Sequence, residues 1–242
     1  KNILTGIFVI FLSTAVNAAD VLDKVSSKIS EYASGLIPGE GHTEVSLDLR
    51  ENHSPDFGIL GVREIMPIDD GKIFTQFSLF NTEMPTGEGG DERYIGNIGF
   101  GGRKLSSDNT IMFGLNNFYD YDIEEQHLRT SLGAEVRSAV IDLHINRYLG
   151  LSDEYNEENV LDGWDYGIAS QIPYLHWAKI FMTGYQWEGI LRNDVNGTKY
   201  GSEMTLTPNF NFELAYDDKK KAGTEDEWYS KLQFVHPGKS GP

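Results

Sequence analysis

From His42 to Phe234 apolar and polar side chains alternate one for one, in runs separated by clusters of Gly, Pro, Asn and Asp. A period of two belongs to an extended strand with two unlike faces, not to a helix. In the first run Val45, Leu47 and Leu49 share one face, while Glu44, Ser46, Asp48 and Arg50 share the other. Twelve such runs are centred near Leu47, Leu60, Phe77, Ile98, Phe113, Leu132, Leu143, Gly167, Phe181, Glu203, Phe212 and Leu232. Most have about 10 residues, enough for a tilted strand to cross a bilayer. The pattern predicts an all-β chain: a twelve-stranded antiparallel transmembrane β-barrel over 42–236, preceded by a short N-terminal amphipathic helix.

The chain ahead of the strands reads differently. Lys1 and the mostly apolar stretch Ile3 to Val16 lead to Val16-Asn17-Ala18, small residues of the kind a signal peptidase reads. Residues 1–18 are therefore expected to be a signal peptide, since the apolar run is too short to span a membrane. In Asp20 to Leu36 the residues Val21, Val25, Ile29, Tyr32, Ala33 and Leu36 recur at helical spacing before Pro38-Gly39. This predicts a periplasmic or plugging helix within 19–38.

Composition narrows the function. The 242 residues carry 37 Asp and Glu against 20 Lys and Arg, a net charge of −17, which argues against nucleic acid and anionic lipid surfaces as partners. No cysteine is present, so thiol catalysis, disulfides and thiolate metal sites are excluded. Connections after odd-numbered strands are mostly long and acidic, and those after even-numbered strands are short. Outer-membrane barrels have this asymmetry, with short periplasmic turns and longer outside loops. Aromatic residues gather at strand ends, which predicts girdles at Tyr119, Tyr148, Trp164, Tyr185, Trp187 and Trp228 outside and Trp177 inside. Alternation alone leaves a secreted, soluble ligand-binding barrel open, because it does not say which face points outward.

Several segments, in order, resemble the β-domain of the intimin/invasin family, the inverse autotransporters. They include Ser26-Ser27-Lys28-Ile29, Thr43 to Leu47, Ile65-Met66-Pro67, Gly99 to Arg103 and Gly114 to Asp120. Arg129 to Glu135, Leu161 to Asp165 and Pro173 to Ala178 complete the set. The resemblance implies an outer-membrane barrel, inserted by the barrel-assembly machinery, that anchors a C-terminal passenger and passes it through the lumen. It also implies an assembly signal in the last strand, at Trp228, Leu232 and Phe234. Eight residues follow Phe234, a span of at most roughly 26–29 Å when extended. The passenger is thus unknown from this sequence, and a stand-alone channel or structural barrel is the alternative.

Asp48, Arg50, Arg103, Arg129, Glu135, Arg137, Asp142 and His144 fall on the polar face and are expected in the lumen, where opposite charges on neighbouring strands can brace the wall. His144 near Asp142 and Asn146 suggests a polar triplet, but no Gly-x-Ser-x-Gly elbow accompanies it, so no catalytic residue is assigned. Acidic loops at Asp153 to Glu158 and Asp120 to Glu125 lack EF-hand spacing, so no metal or cofactor is assigned. Lys219-Lys220-Lys221, in an outer loop, reads first as a solvated tip and second as a contact for lipopolysaccharide phosphates; lipopolysaccharide and outer-membrane lipid are the expected partners of the barrel.

Overall fold

The computed structural model describes residues 40–51, 54–83, 92–152, 160–189, 194–220 and 226–237. The expected signal peptide, the N-terminal helix and the tail beyond 237 lie outside these residues. Twelve strands follow one another: β1 (Gly41–Arg50), β2 (Asp56–Ile68), β3 (Gly71–Glu83), β4 (Glu92–Leu105), β5 (Ile111–Asp122) and β6 (Leu128–Ser138). The second half continues with β7 (Ile141–Gly150), β8 (Gly163–Ile172), β9 (Leu175–Trp187), β10 (Val195–Thr207), β11 (Phe210–Lys219) and β12 (Glu227–Pro237). Each pairs antiparallel with its sequence neighbours, and β1 pairs with β12 to close the barrel.

One end of the barrel is built from tight turns. Residues 69–70, 139–140, 173–174 and 208–209 join strands directly, and only 106–110 is longer there. Asp70, Asn109 and Tyr174 supply the left-handed backbone these turns need, with φ of 56°, 57° and 66°. In 106–110 the Ser106 hydroxyl donates to Asp108 Oδ1 at 2.5 Å, and the Thr110 amide donates to the same oxygen at 3.2 Å. The Ser106 bond, above all, holds the Asp108 carboxyl below its usual value. The three register shifts, at Glu64/Met66, Gln171/Ile172 and Thr205/Thr207, fall at this same end, where a bulge can bend a strand without breaking the ladder. The opposite end carries the longer connections, 51–55, 84–91, 123–127, 151–162, 188–194 and 220–226.

Closure decides which face of each strand is crowded. Side chains on the concave face converge, so Phe74, Ser131, Glu135 and Asp217 are buried. On the convex face they splay apart, leaving Leu115 70%, Leu132 60%, Ile145 55% and Phe113 51% exposed. A continuous apolar outer surface and a polar interior reverse the arrangement of a soluble barrel, so the soluble ligand-binding alternative is excluded. Such an exterior is stable only against hydrocarbon. Leu115→Arg or Ile145→Arg, placed on that band, should cost about 2–4 kcal/mol if near the midplane, measured by denaturant unfolding of the barrel from lipid vesicles.

Candidate functional site: the lumen wall

The register places every residue expected in the lumen on the concave face. Starting from Glu44, Ser46, Asp48 and Arg50 on β1, the pairings carry the same parity around to Arg103 on β4 and Arg129, Glu135 and Arg137 on β6. Asp142 and His144 on β7 follow. Their partners differ in part from simple neighbours. Arg129 reaches Asp120 on adjacent β5 at 3.0 Å, as charge complementarity across one ladder suggests. Glu135, however, is shared: Arg103, two strands away, approaches at 2.6 Å and Arg137, on the same strand, at 2.7 Å. Asp142 likewise skips a strand to Lys179 on β9 at 2.7 Å. Asp48 faces Lys231 at 3.6 Å, Arg50 faces Asp56 at 3.4 Å, and His144 lies 3.6 Å from Asp165.

A small residue on the strand between makes room for each skip: Ala169 beside the Asp142–Lys179 pair, and a glycine for Arg103 and Glu135. Gly114 stands between Arg103 and Glu135 in the ladder, and a Cβ there would strike the Glu135 side chain. The same arrangement recurs around the wall. Phe74 lies over Gly101, Phe118 over Gly99, His144 over Gly167 and Phe181 over Gly201, each pair being direct cross-strand partners. Asn116 and Asn146 flank Gly133 from both sides. A large side chain opposite a glycine can lie flat along the hydrogen-bonding direction, covering the backbone without projecting toward the barrel axis.

Near the long-loop end the wall is aromatic and cationic together. The Arg129 guanidinium lies 4.8 Å from the Tyr148 ring centroid and 5.1 Å from that of Trp187 while its Nε and Nη2 both donate to Asp120. Tyr148 donates its hydroxyl to Asp165 at 2.7 Å, and Trp187 covers Gly163. Lys199 lies between Tyr185 and Tyr229, whose hydroxyls donate to Asp217 and Glu213. These are cation–π contacts in a partly desolvated wall.

The girdle expectation therefore needs correcting. Tyr119, Trp164 and Trp228 are on the convex face, Trp164 stacked on Tyr166 and Trp228 tilted against Tyr216. Tyr148, Tyr185 and Trp187 are at the same end but face inward, because their hydroxyls and rings serve the lumen acids, Arg129 and the wall glycines. Trp177 shares the parity of Lys179 and is half exposed at the short-turn rim. Trp228, Leu232 and Phe234 share the convex face of β12. Unforeseen in the sequence is Arg63, of convex parity near the short-turn end, which donates to the Val62 carbonyl and to Thr43 Oγ1 at 2.8 and 2.7 Å. The acidic loop at 153–158 and Lys221 lie outside the described residues.

A closed, apolar-skinned barrel with a braced polar lumen defines an outer-membrane β-barrel protein. The sequence model of the inverse autotransporter β-domain matches residues 13–236, and the chain belongs to that family. It is 27% identical over 183 residues to a putative attaching and effacing protein homolog of Escherichia coli K12, covering 66% of this chain and 59% of that protein. It is 32% identical over 112 residues to the inverse autotransporter adhesin YeeJ of the same organism, covering 43% of this chain and 4% of that protein. The chain thus spans 59% of the first of these relatives and 4% of the second, under two thirds of either. A membrane protein from a study of in-meso crystallization superposes with a TM-score of 0.67 at 17% identity, over 81% of this chain and 83% of that one. The KdgM porin superposes at 0.56 with 5% identity, over 80% and 98%. These two likenesses are of fold.

Two substitutions test the wall. Glu135→Gln leaves two guanidinium groups short of one carboxylate and should cost about 1–3 kcal/mol. Gly99→Val drives a side chain into the Phe118 ring and should cost about 1–3 kcal/mol as overpacking. Urea unfolding from vesicles measures both, with Ser230→Ala on the convex face as a control expected to change little.

Proposed function

We propose that this barrel anchors a C-terminal passenger in the outer membrane and translocates it to the cell surface. The observation that carries this is the exit of β12: Pro237 pairs with His42, so β12 ends beside the start of β1 at the short-turn end. Short turns face the periplasm in outer-membrane barrels. A polypeptide continuing from β12 therefore begins on the periplasmic side, and the polar lumen is the hydrated route to the surface. The printed names of the two relatives, an attaching and effacing homolog and an adhesin, fit an adhesive passenger.

The rest of the reading follows from this. Residues 1–18 act as the signal peptide and residues 19–38 form a periplasmic or plugging helix. Residues 42–236 are the membrane anchor, and 237–242 begin the tail. Trp228, Leu232 and Phe234 offer the barrel-assembly machinery an aromatic, lipid-facing final strand, and the long-loop rim meets lipopolysaccharide. The lumen charges brace the wall against the passing chain, and no catalytic residue or cofactor is assigned.

An epitope fused after Pro242 tests the proposal in intact cells. Surface protease should remove it while the barrel stays in the membrane. An epitope that is protected in intact cells, with steady conductance of the purified barrel in planar bilayers, would instead favour a passive channel.

A further inference from the structure

Gly58 breaks the pattern of the wall. Among the described lumen-facing glycines, Gly150 at the long-loop rim lies against Val160, and every other one but Gly58 has a ring, an imidazole, a carboxylate or an amide laid across it from a neighbouring strand. A Cβ at Gly58 would meet only Ser46 Oγ at 2.8 Å and Phe80 Cβ at 3.5 Å. Ser46 is its partner on β1, and one step along the same face Leu60 is paired with Ser78 on β3. Among the described residues, no large polar side chain crosses the wall at the Ser46–Gly58 and Leu60–Ser78 pairs. A cavity of about 300 Å³ opens over it, with Ser46, Gly58, Leu60 and Ser78 as its floor and Gln233 and Lys231 of β12 along one side.

We infer that this lane on β1–β3 is the track along which the extended passenger polypeptide lies, an inference that rests on the translocator reading. Three features favour this occupant. The lane adjoins β12, the strand from which the passenger continues, and runs from Glu44 and Leu60, one step in from the His42–Val62 pair, to Asp56 and Thr82 at the long-loop end. Its charges are engaged, Arg50 with Asp56, Lys231 with Asp48 and Glu44 with the Gln233 amide and His42, so the lane places few electrostatic demands on sequence. Serine hydroxyls on its floor can donate to or accept from the backbone of a chain that has no sheet partner of its own. The wall across the barrel is the opposite case. There Asp142–Lys179 and His144–Asp165 pairs and the Phe181 ring already occupy the surface of β7–β9.

Because the chain has no cysteine, the inference can be tested by disulfide cross-linking without background. The full chain would carry a tagged passenger after Pro242 with one cysteine in its first segment. Single lumen cysteines would be placed on the lane, Ser46→Cys or Ser78→Cys, or across from it, Ala169→Cys on β8. Mild oxidation of displaying cells should cross-link the two lane positions severalfold more than Ala169→Cys. In a second series Ser78→Trp should reduce surface display severalfold and Ala169→Trp should not, with heat-shifted mobility on gels reporting that each barrel has formed. A displayed passenger that cross-links equally to all three positions, or mainly to position 169, overturns the lane and leaves the translocator reading standing. A formed barrel that displays no passenger and gives no cross-link overturns both.

Discussion

Backbone N–H and C=O groups exposed to hydrocarbon have no water to bond, and each unmet group costs several kcal/mol. The pairing of β1 with β12 removes that cost, joining nine residue pairs from His42↔Pro237 to Arg50↔Tyr229. Everything else in the fold depends on this closure. It sets one face of every strand toward the lipid and the other toward the lumen, and it brings the first and last strands together at the short-turn end. It also turns the crowding of inward side chains into a problem the sequence must solve.

The solution is a division of space between neighbours. Glycine on one strand receives a phenylalanine, histidine, glutamate or asparagine from the next, so bulky residues lie along the wall instead of across the lumen. Salt bridges then reach over the glycines, as from Arg103 to Glu135, and tie strands that share no hydrogen bonds. In the upper wall, rings take part as well: Arg129 is held by a carboxylate and two aromatic faces at once. The result is a lumen whose polar groups are mostly engaged with each other. That arrangement supports the translocator proposal, because few charges are left to hold a passing chain.

Much of this was legible in the sequence. Period-two alternation in runs of bilayer length revealed the strands, and the unequal connections revealed which ends belong together. The lumen residues on β6 and β7 followed from parity within one run. Parity also held the signal that Tyr148 faces inward, since it lies in step with His144 and Asn146; aromatic position along the strand reports height in the membrane and not face. Tyr185 and Trp187 were harder, because β9 has large residues of both parities, Ile180 and Met182 on one face and Phe181 and Tyr185 on the other. Pairings that skip a strand were not legible, since they depend on which small residue, Gly114 or Ala169, stands between two charges in a register that only the folded barrel sets. Arg63 was missed because its partners are backbone carbonyls and Thr43 on the neighbouring strand, a contact with no pattern of its own.

The central claim is that the apolar face meets lipid and the polar face meets water. Spin labels on single cysteines along β5 and β6 in reconstituted vesicles test it most directly, with oxygen as the lipid-soluble relaxant and a nickel chelate as the aqueous one. Labels at Phe113, Leu115, Leu132 and Ala134 should respond to oxygen. Those at Asn116, Ser131 and Arg137 should be the less oxygen-sensitive set, so that accessibility alternates with a period of two. The opposite phase, or no alternation, would contradict the account.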